Sequence, residues 1–201
     1  HGRSLITQRE VGTDTDSFDA ALKSALRQAP DVILLGEIRS QETMEFALSF
    51  AETGHLCMAT LHANNANQAI ERILHLVPVE KHRQLLYDLS FNLKAIVAQQ
   101  LIPTRDGQGR RAAFELLIST PLVKDMLMKG EMHRLKEVMA KSREQGMMTF
   151  DQSLFDLYRQ GVIGYNEALA YADSANDVRL MIKLDGGVSP DAGMLNNVTI
   201  D

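Results

Sequence analysis

A single cysteine, Cys57, stands among 201 residues, so no disulfide framework and no thiolate metal site can form within the chain, and a reducing compartment fits. No apolar run approaches the ~20 residues that a membrane-spanning helix needs, and the N-terminus carries no signal-peptide pattern. A soluble cytosolic protein is expected. Positive charge is also short: 21 lysines and arginines face 26 aspartates and glutamates, a formal net charge of -5. Aromatic residues make up 5%, and no basic strip interleaved with aromatics is found. A nucleic-acid partner is therefore not expected, because phosphates must be neutralised by clustered cations and bases must be stacked. Internal repeats and low-complexity blocks are missing too. With 45% hydrophobic and 23% charged residues, the composition is that of a soluble globular chain long enough to bury a core.

The chain opens at His1 rather than at a methionine, and Leu5 to Val11 reads as a strand already in progress, so the expectation is a chain that begins inside a domain. Phe18, Ala21, Leu22, Ala25 and Leu26 recur at helical spacing until Pro30 forbids continuation. Asp31-Val32-Ile33-Leu34-Leu35-Gly36 is a continuous apolar run of strand length, expected as a parallel strand covered on both faces. Ser40 suits a helix cap, Met44, Ala47, Leu48 and Ala51 form the stripe that follows, and Gly54 can close it. Leu56 to Leu61 is a second apolar run, again read as a buried strand. A short helix through Ala69, Ile70 and Ile73 follows, then Pro78 and a longer stripe of Leu86, Leu89, Leu93, Ile96 and Val97. Strands alternating with helices define an α/β class with a mostly parallel sheet. Asp106-Gly107-Gln108-Gly109 marks a hairpin between Leu101 and Leu117, with Pro103 suited to an edge.

From Thr120 the pattern is helical only. Thr120-Pro121 suits a cap with proline in the first turn, Gly130, Gly146 and Gly161 punctuate successive helices, and Thr149 with Gln152 forms a capping box. Three segments are expected: 1–119, an α/β core; 120–184, a helical subdomain; and 185–201, a mobile tail with little periodicity.

In a parallel α/β sheet, ligands bind outside the carboxyl ends of the strands. Glu37 lies just past the first apolar run and His62 just past the second, which places both on one edge. A carboxylate held rigidly at a strand end is what a nucleotide hydrolase needs beside a terminal phosphate, to orient water or to support Mg²⁺ through water. Singly, each reads as a solvated carboxylate or a structural histidine; the pair carries the hypothesis. His55, seven steps before His62, would lie roughly 23 Å away along one extended strand at ~3.3 Å per residue, so the two histidines cannot share one phosphate. His55 is expected to brace the sheet or a neighbouring subunit. Arg9, Glu10 and Arg39 read as ion pairs or interface contacts, Met126, Met128, Met132 and Met139 as helical core filler, and His75 and His82 as surface residues.

Gln8-Arg9-Glu10-Val11-Gly12, Asp31 to Arg39, Thr53-Gly54-His55 and Thr60-Leu61-His62, in that order and spacing, resemble the secretion ATPase superfamily. Through Ala63-Asn64-Asn65-Ala66 and Gln99-Gln100-Leu101 the resemblance narrows to the type IV pilus retraction ATPases, PilT and PilU, over nearly all of residues 1 to 184. It implies a partial RecA-like core, with Asp31, Gly36 and Glu37 in a Walker B segment, Glu37 as catalytic glutamate, and His55 and His62 as a histidine box. ATP and Mg²⁺ are the implied cofactors, without a direct protein-held metal. A cytoplasmic homo-hexamer at the inner membrane is implied, working on the pilus platform protein and with a paralogous retraction ATPase. The Walker A loop of that family is absent from these 201 residues, and is expected N-terminal to residue 1. Leu122 to Gly130 replaces the Ala-Ile-Arg-Asn-Leu type segment of PilT, which places the chain nearer PilU. Pilus-assembly and type II secretion ATPases, which commonly carry a four-cysteine zinc insertion, and a non-catalytic ring subunit are the alternatives.

Overall fold

A computed structural model describes residues 3–186; most of the tail expected at 185–201 lies outside the described residues. Contacts divide the chain into two compact units, 1–62 with 72–92, and 63–71 with residues from 93 onward.

The first unit is built on two short strands. Helix α1 (Phe18–Leu26) starts where the Ser17 side chain accepts the Ala20 N–H, and ends before Pro30, which cannot continue a helix. Strand β1 (Val32–Leu35) pairs in parallel with β2 (Leu56–Ala59), Val32 opposite Leu56 and Leu35 opposite Ala59. Between them runs α2 (Gln41–Glu52), opened by a reciprocal Ser40–Thr43 capping box. Gly54 follows at φ 92°, a left-handed conformation that glycine adopts without steric cost. Ile33, Leu35, Met44, Ala47 and Phe50 are buried. Helix α3 (Ala66–His75) contributes its last turn to this unit, followed by a 3-10 turn over 79–81 and α4 (His82–Asn92), which buries Leu85, Leu86 and Leu89.

Among the described residues, the second unit contains the beginning of α3, a long antiparallel hairpin and five helices. Strand β3 (Ala95–Pro103) pairs with β4 (Arg110–Ile118) through nine registered positions. The connecting turn is held by Asp106, whose Oδ1 accepts the Gln108 N–H at 3.0 Å and the Thr104 hydroxyl at 2.6 Å. Helices α5 (Pro121–Lys129), α6 (Leu135–Lys141), α7 (Phe150–Arg159), α8 (Tyr165–Ala170) and α9 (Ala175–Leu184) follow. Thr120 caps α5 ahead of Pro121, the Thr149–Gln152 capping box opens α7, and Gly130 closes α5 at φ 72°. Ala98, Ile102 and Ala113 of the hairpin share one core with Phe150, Leu154, Ile163, Ala168, Val178 and Ile182.

Four expectations are corrected. Leu5 to Val11 forms no strand: Leu5 is 93% exposed, and a strand needs a partner for its backbone groups. Strands β1 and β2 are not covered on both faces, since Val32, Leu34, Leu56 and Met58 all face outward. The stripe from Leu86 to Val97 is not one helix; α4 stops at Asn92, and Ile96 and Val97 belong to β3, where β-branched side chains suit a pleated surface. Met126 and Met139 are buried, but Met128 is exposed. The hairpin and the helices that follow it lie in one compact unit, where the inner face of the hairpin packs on α7.

Candidate functional site

The carboxyl ends of β1 and β2 are tied beyond the last paired residues. Ile38 N–H donates to the Thr60 carbonyl at 3.0 Å, and the Thr60 hydroxyl donates to the Gly36 carbonyl. These bonds carry the parallel register into the loops, so the residues that leave the two strands emerge side by side. Glu37 Oε1 meets His62 Nε2 at 2.8 Å, and Glu37 Oε2 accepts from Arg39 Nε. Both carboxylate oxygens are thus engaged by side chains. Glu37, Ile38, Arg39 and His62 line an open cavity of about 520 Å³ with Arg72, His75 and Leu76.

His55 is elsewhere. It sits at the entry to β2, where its Nδ1 lies 3.0 Å from the Thr53 hydroxyl and 3.3 Å from the Phe50 carbonyl, and its ring meets that of Phe50 edge-on at 6.0 Å. The two histidines therefore occupy opposite ends of β2, and His55 is fastened to the C-terminus of α2. Asp31 precedes β1 at the end opposite Glu37, and its carbonyl accepts the Leu56 N–H at 3.2 Å; the four-residue strand separates its side chain from the cavity. Arg9 Nη1 donates to the Ala21 carbonyl at 3.3 Å, against α1, and takes no part in lining the cavity. Arg39 is an ion-pair residue as read, but its partner is Glu37 itself. His82 Nε2 lies 3.2 Å from the Val77 carbonyl. His75, read as an ordinary surface residue, lines the cavity together with Arg72. Both occupy the last turn of α3, three residues apart and so on one helical face; that spacing was the one sequence signal that could have found them.

Cys57 on β2 is half-buried, and burial raises its thiol above the usual range, which keeps it protonated and a poor nucleophile. Among the described residues, no group of three or more His, Cys, Asp or Glu side chains could hold a metal ion. Glu37 is the one carboxylate of the cavity, so a divalent ion there would take its direct ligands from phosphate oxygens and meet Glu37 through water. The donor set fits a nucleotide-borne ion better than a resident one.

An acid just past one parallel strand thus meets a histidine just past its neighbour, and Arg39, Arg72 and His75 line the same cavity. Residues 6–156 match the family described as Type II/IV secretion system protein, and the chain belongs to that family. It is 64% identical over 199 residues to the type IV pilus ATPase PilU of Pseudomonas aeruginosa, covering 99% of this chain and 52% of that protein. It is 41% identical over 176 residues to a twitching motility protein of Neisseria gonorrhoeae, covering 88% and 47%. The crystal structure of the pilus retraction motor PilT with bound ADP aligns with a TM-score of 0.77 at 39% identity, covering 88% of this chain and 49% of that one. The chain spans about half the length of the curated relatives it matches. No helix among the described residues is long and apolar enough to cross a membrane.

Proposed function

We propose that this chain is the hydrolytic part of an ATP-driven motor subunit that retracts type IV pili and powers twitching motility. The observation that carries the reading is the Glu37–His62 contact of 2.8 Å at the carboxyl ends of paired parallel strands, in a chain 64% identical to a type IV pilus ATPase over nearly its whole length. In this reading Glu37 accepts a hydrogen bond from the attacking water and steadies a phosphate-borne Mg²⁺ through a second water. His62 stabilises negative charge that builds on the terminal phosphate. Asp31 to Glu37 is the Walker B segment, its aspartate shaping the strand entry and its glutamate doing the chemistry. Residues 1–119 belong to a RecA-like core and 120–184 to its helical subdomain. Bound ATP with Mg²⁺ supplies the free energy of the stroke. The working form is a cytoplasmic homo-hexamer at the inner membrane, acting on the pilus platform protein beside a paralogous retraction ATPase.

Turnover of Mg²⁺-ATP by the full-length protein tests the reading, with Glu37→Gln as the control that keeps nucleotide binding while losing hydrolysis. The 201-residue chain by itself, which contains no Gly-x-x-x-x-Gly-Lys-Ser/Thr loop, should turn over ATP negligibly, because that loop supplies the backbone donors and the lysine for the β and γ phosphates. Robust nucleotide binding without any hydrolysis by the full-length protein would favour a non-catalytic ring subunit. Loss of pilus extension instead of retraction in cells lacking the protein would favour an assembly ATPase.

A further inference from the structure

The cavity beside Glu37 holds more positive charge than its carboxylate balances. Arg39 and Arg72 against Glu37 leave one positive charge before His62 or His75 takes a proton. Glu37 has no oxygen to spare, since Arg39 holds one and His62 the other. Among the described residues, the side chains of Arg72 and His75 make no hydrogen bond and no ion pair. A cation in the last turn of a helix is favoured by the helix dipole. That preference explains a basic residue at this position in α3, but not its entry into the same cavity as Arg39 and His62.

An unpaired arginine and an unpaired histidine beside Arg39 and His62, all lining an open cavity of about 520 Å³, call for a compact, multivalent anion. We propose that Arg72 and His75 are phosphate ligands, and that a phosphate group entering this cavity replaces Glu37 as the partner of Arg39 and His62. The proposal rests on the reading of Glu37 and His62 as the hydrolytic pair. Phosphate carries up to twice the charge of a carboxylate and more acceptor oxygens, and it can take the planar Arg72 fork through two oxygens at once. The pair it displaces is weak: Arg39 is 78% and His62 73% exposed at the side chain, and exposed ion pairs contribute little. The exchange leaves the Glu37 carboxylate without its side-chain partners and therefore available to water, at the moment when phosphate is present. Such phosphate has two sources, the terminal group of bound nucleotide and the inorganic phosphate released from it.

The test uses the full-length protein, with ATP turnover, inhibition by inorganic phosphate, inhibition by ADP, and direct phosphate binding by calorimetry. Arg72→Gln/His75→Gln should weaken phosphate by about tenfold or more, the loss expected of a charge-assisted contact, while ADP inhibition stays within about twofold. Arg72→Lys should restore part of the loss. A raised inhibition constant for inorganic phosphate assigns the ligands to the released product, and a raised KM for ATP assigns them to the nucleotide's terminal group. Neither change, or an equal loss toward ADP, overturns the proposal. Glu37→Gln, which removes the competing negative charge, should tighten phosphate binding severalfold, and unchanged binding there overturns the exchange. If the wild-type protein turns over no ATP, the hydrolytic reading fails; phosphate binding weakened by the double variant would still support the ligands, and binding unaffected by it would reject them.

Discussion

Two glutamates, one in each unit, live in opposite surroundings. Glu37 follows β1 by two residues and is held by the side chains of Arg39 and His62, both largely in solvent. Glu115 lies within β4, 2% exposed, and its Oε1 accepts the backbone N–H of Ala66, the first residue of α3, at 2.8 Å. The contrast extends to the units around them. In the first, five of the eight residues of β1 and β2 are exposed; in the second, Phe150, Leu154 and Ile102 are closed off from solvent, and Asp151 accepts the backbone N–H groups of Asp173 and Ser174. A carboxylate held by flexible, exposed side chains can change partners, which is what chemistry requires. One held by backbone donors in a closed core replaces a cap, and its role is to complete the fold.

The strongest way to break this comparison is to neutralise the exposed glutamate. Glu37→Gln in the full-length protein should cut hydrolysis several hundredfold or more, on the order of 4 kcal/mol in the transition state, with nucleotide binding and thermal stability retained. Turnover at the wild-type rate would remove Glu37 from the mechanism. Next in size is a change in the closed core. Leu154→Ala should destabilise the second unit by about 3 kcal/mol, from lost burial plus the cavity left behind, as read by denaturant unfolding; a midpoint unmoved within error would show that this core is not the stabilising one. The histidines give a smaller, divided effect. His62→Ala should lower turnover of an assembled hexamer roughly a hundredfold, as for a donor facing transition-state charge. His55→Ala should instead cost about 1 kcal/mol of stability through its lost contacts to Thr53 and Phe50, measured by thermal melting. Equal loss of turnover in both, at unchanged stability, would return the two histidines to one functional box.

The meeting of Glu37 with His62 was legible because it needs only topology: two apolar runs joined by a helix make a parallel pair, and the residues after each run leave by the same edge. Caps at Ser40, Thr120 and Thr149 were legible for a similar reason, since each is satisfied within four residues. What could not be read is whatever depends on a distant partner. Leu5 to Val11 has the composition of a strand, yet composition does not supply the neighbour whose backbone must pair with it. Val32 and Leu34 are apolar enough for a covered strand, but covering depends on what packs over that face. Arg72 and His75 lie on a predictable helix face, and only the path of the chain around the Ala66–His75 helix shows which cavity that face enters.

The smallest effect concerns the buried glutamate and the pH dependence of stability. Glu115 is held above the ordinary carboxyl range, first by burial and then by the negative charge of Asp173; the backbone N–H groups of Ala66 and Phe150 and the Lys136 ammonium oppose the shift without cancelling it. In the unfolded chain a glutamate titrates near ~4.3. Between that value and the raised one, the folded protein binds more protons than the unfolded, so stability falls as pH rises through this window and levels off once both states are ionised. Asp151, raised by its own burial although Lys136 and the backbone N–H groups of Ser174 and Asp173 oppose the shift, slopes the same way. Glu115→Gln keeps a carbonyl acceptor for Ala66 and removes one of the two titrations. Its melting temperature should therefore decline less steeply than that of the wild type from weakly acidic to neutral pH, with the Asp151 slope remaining, and the two curves should diverge toward neutrality. Parallel curves across this range would mean that Glu115 is ionised as readily when folded as when unfolded, and the distinction drawn between the two glutamates would lose its electrostatic basis.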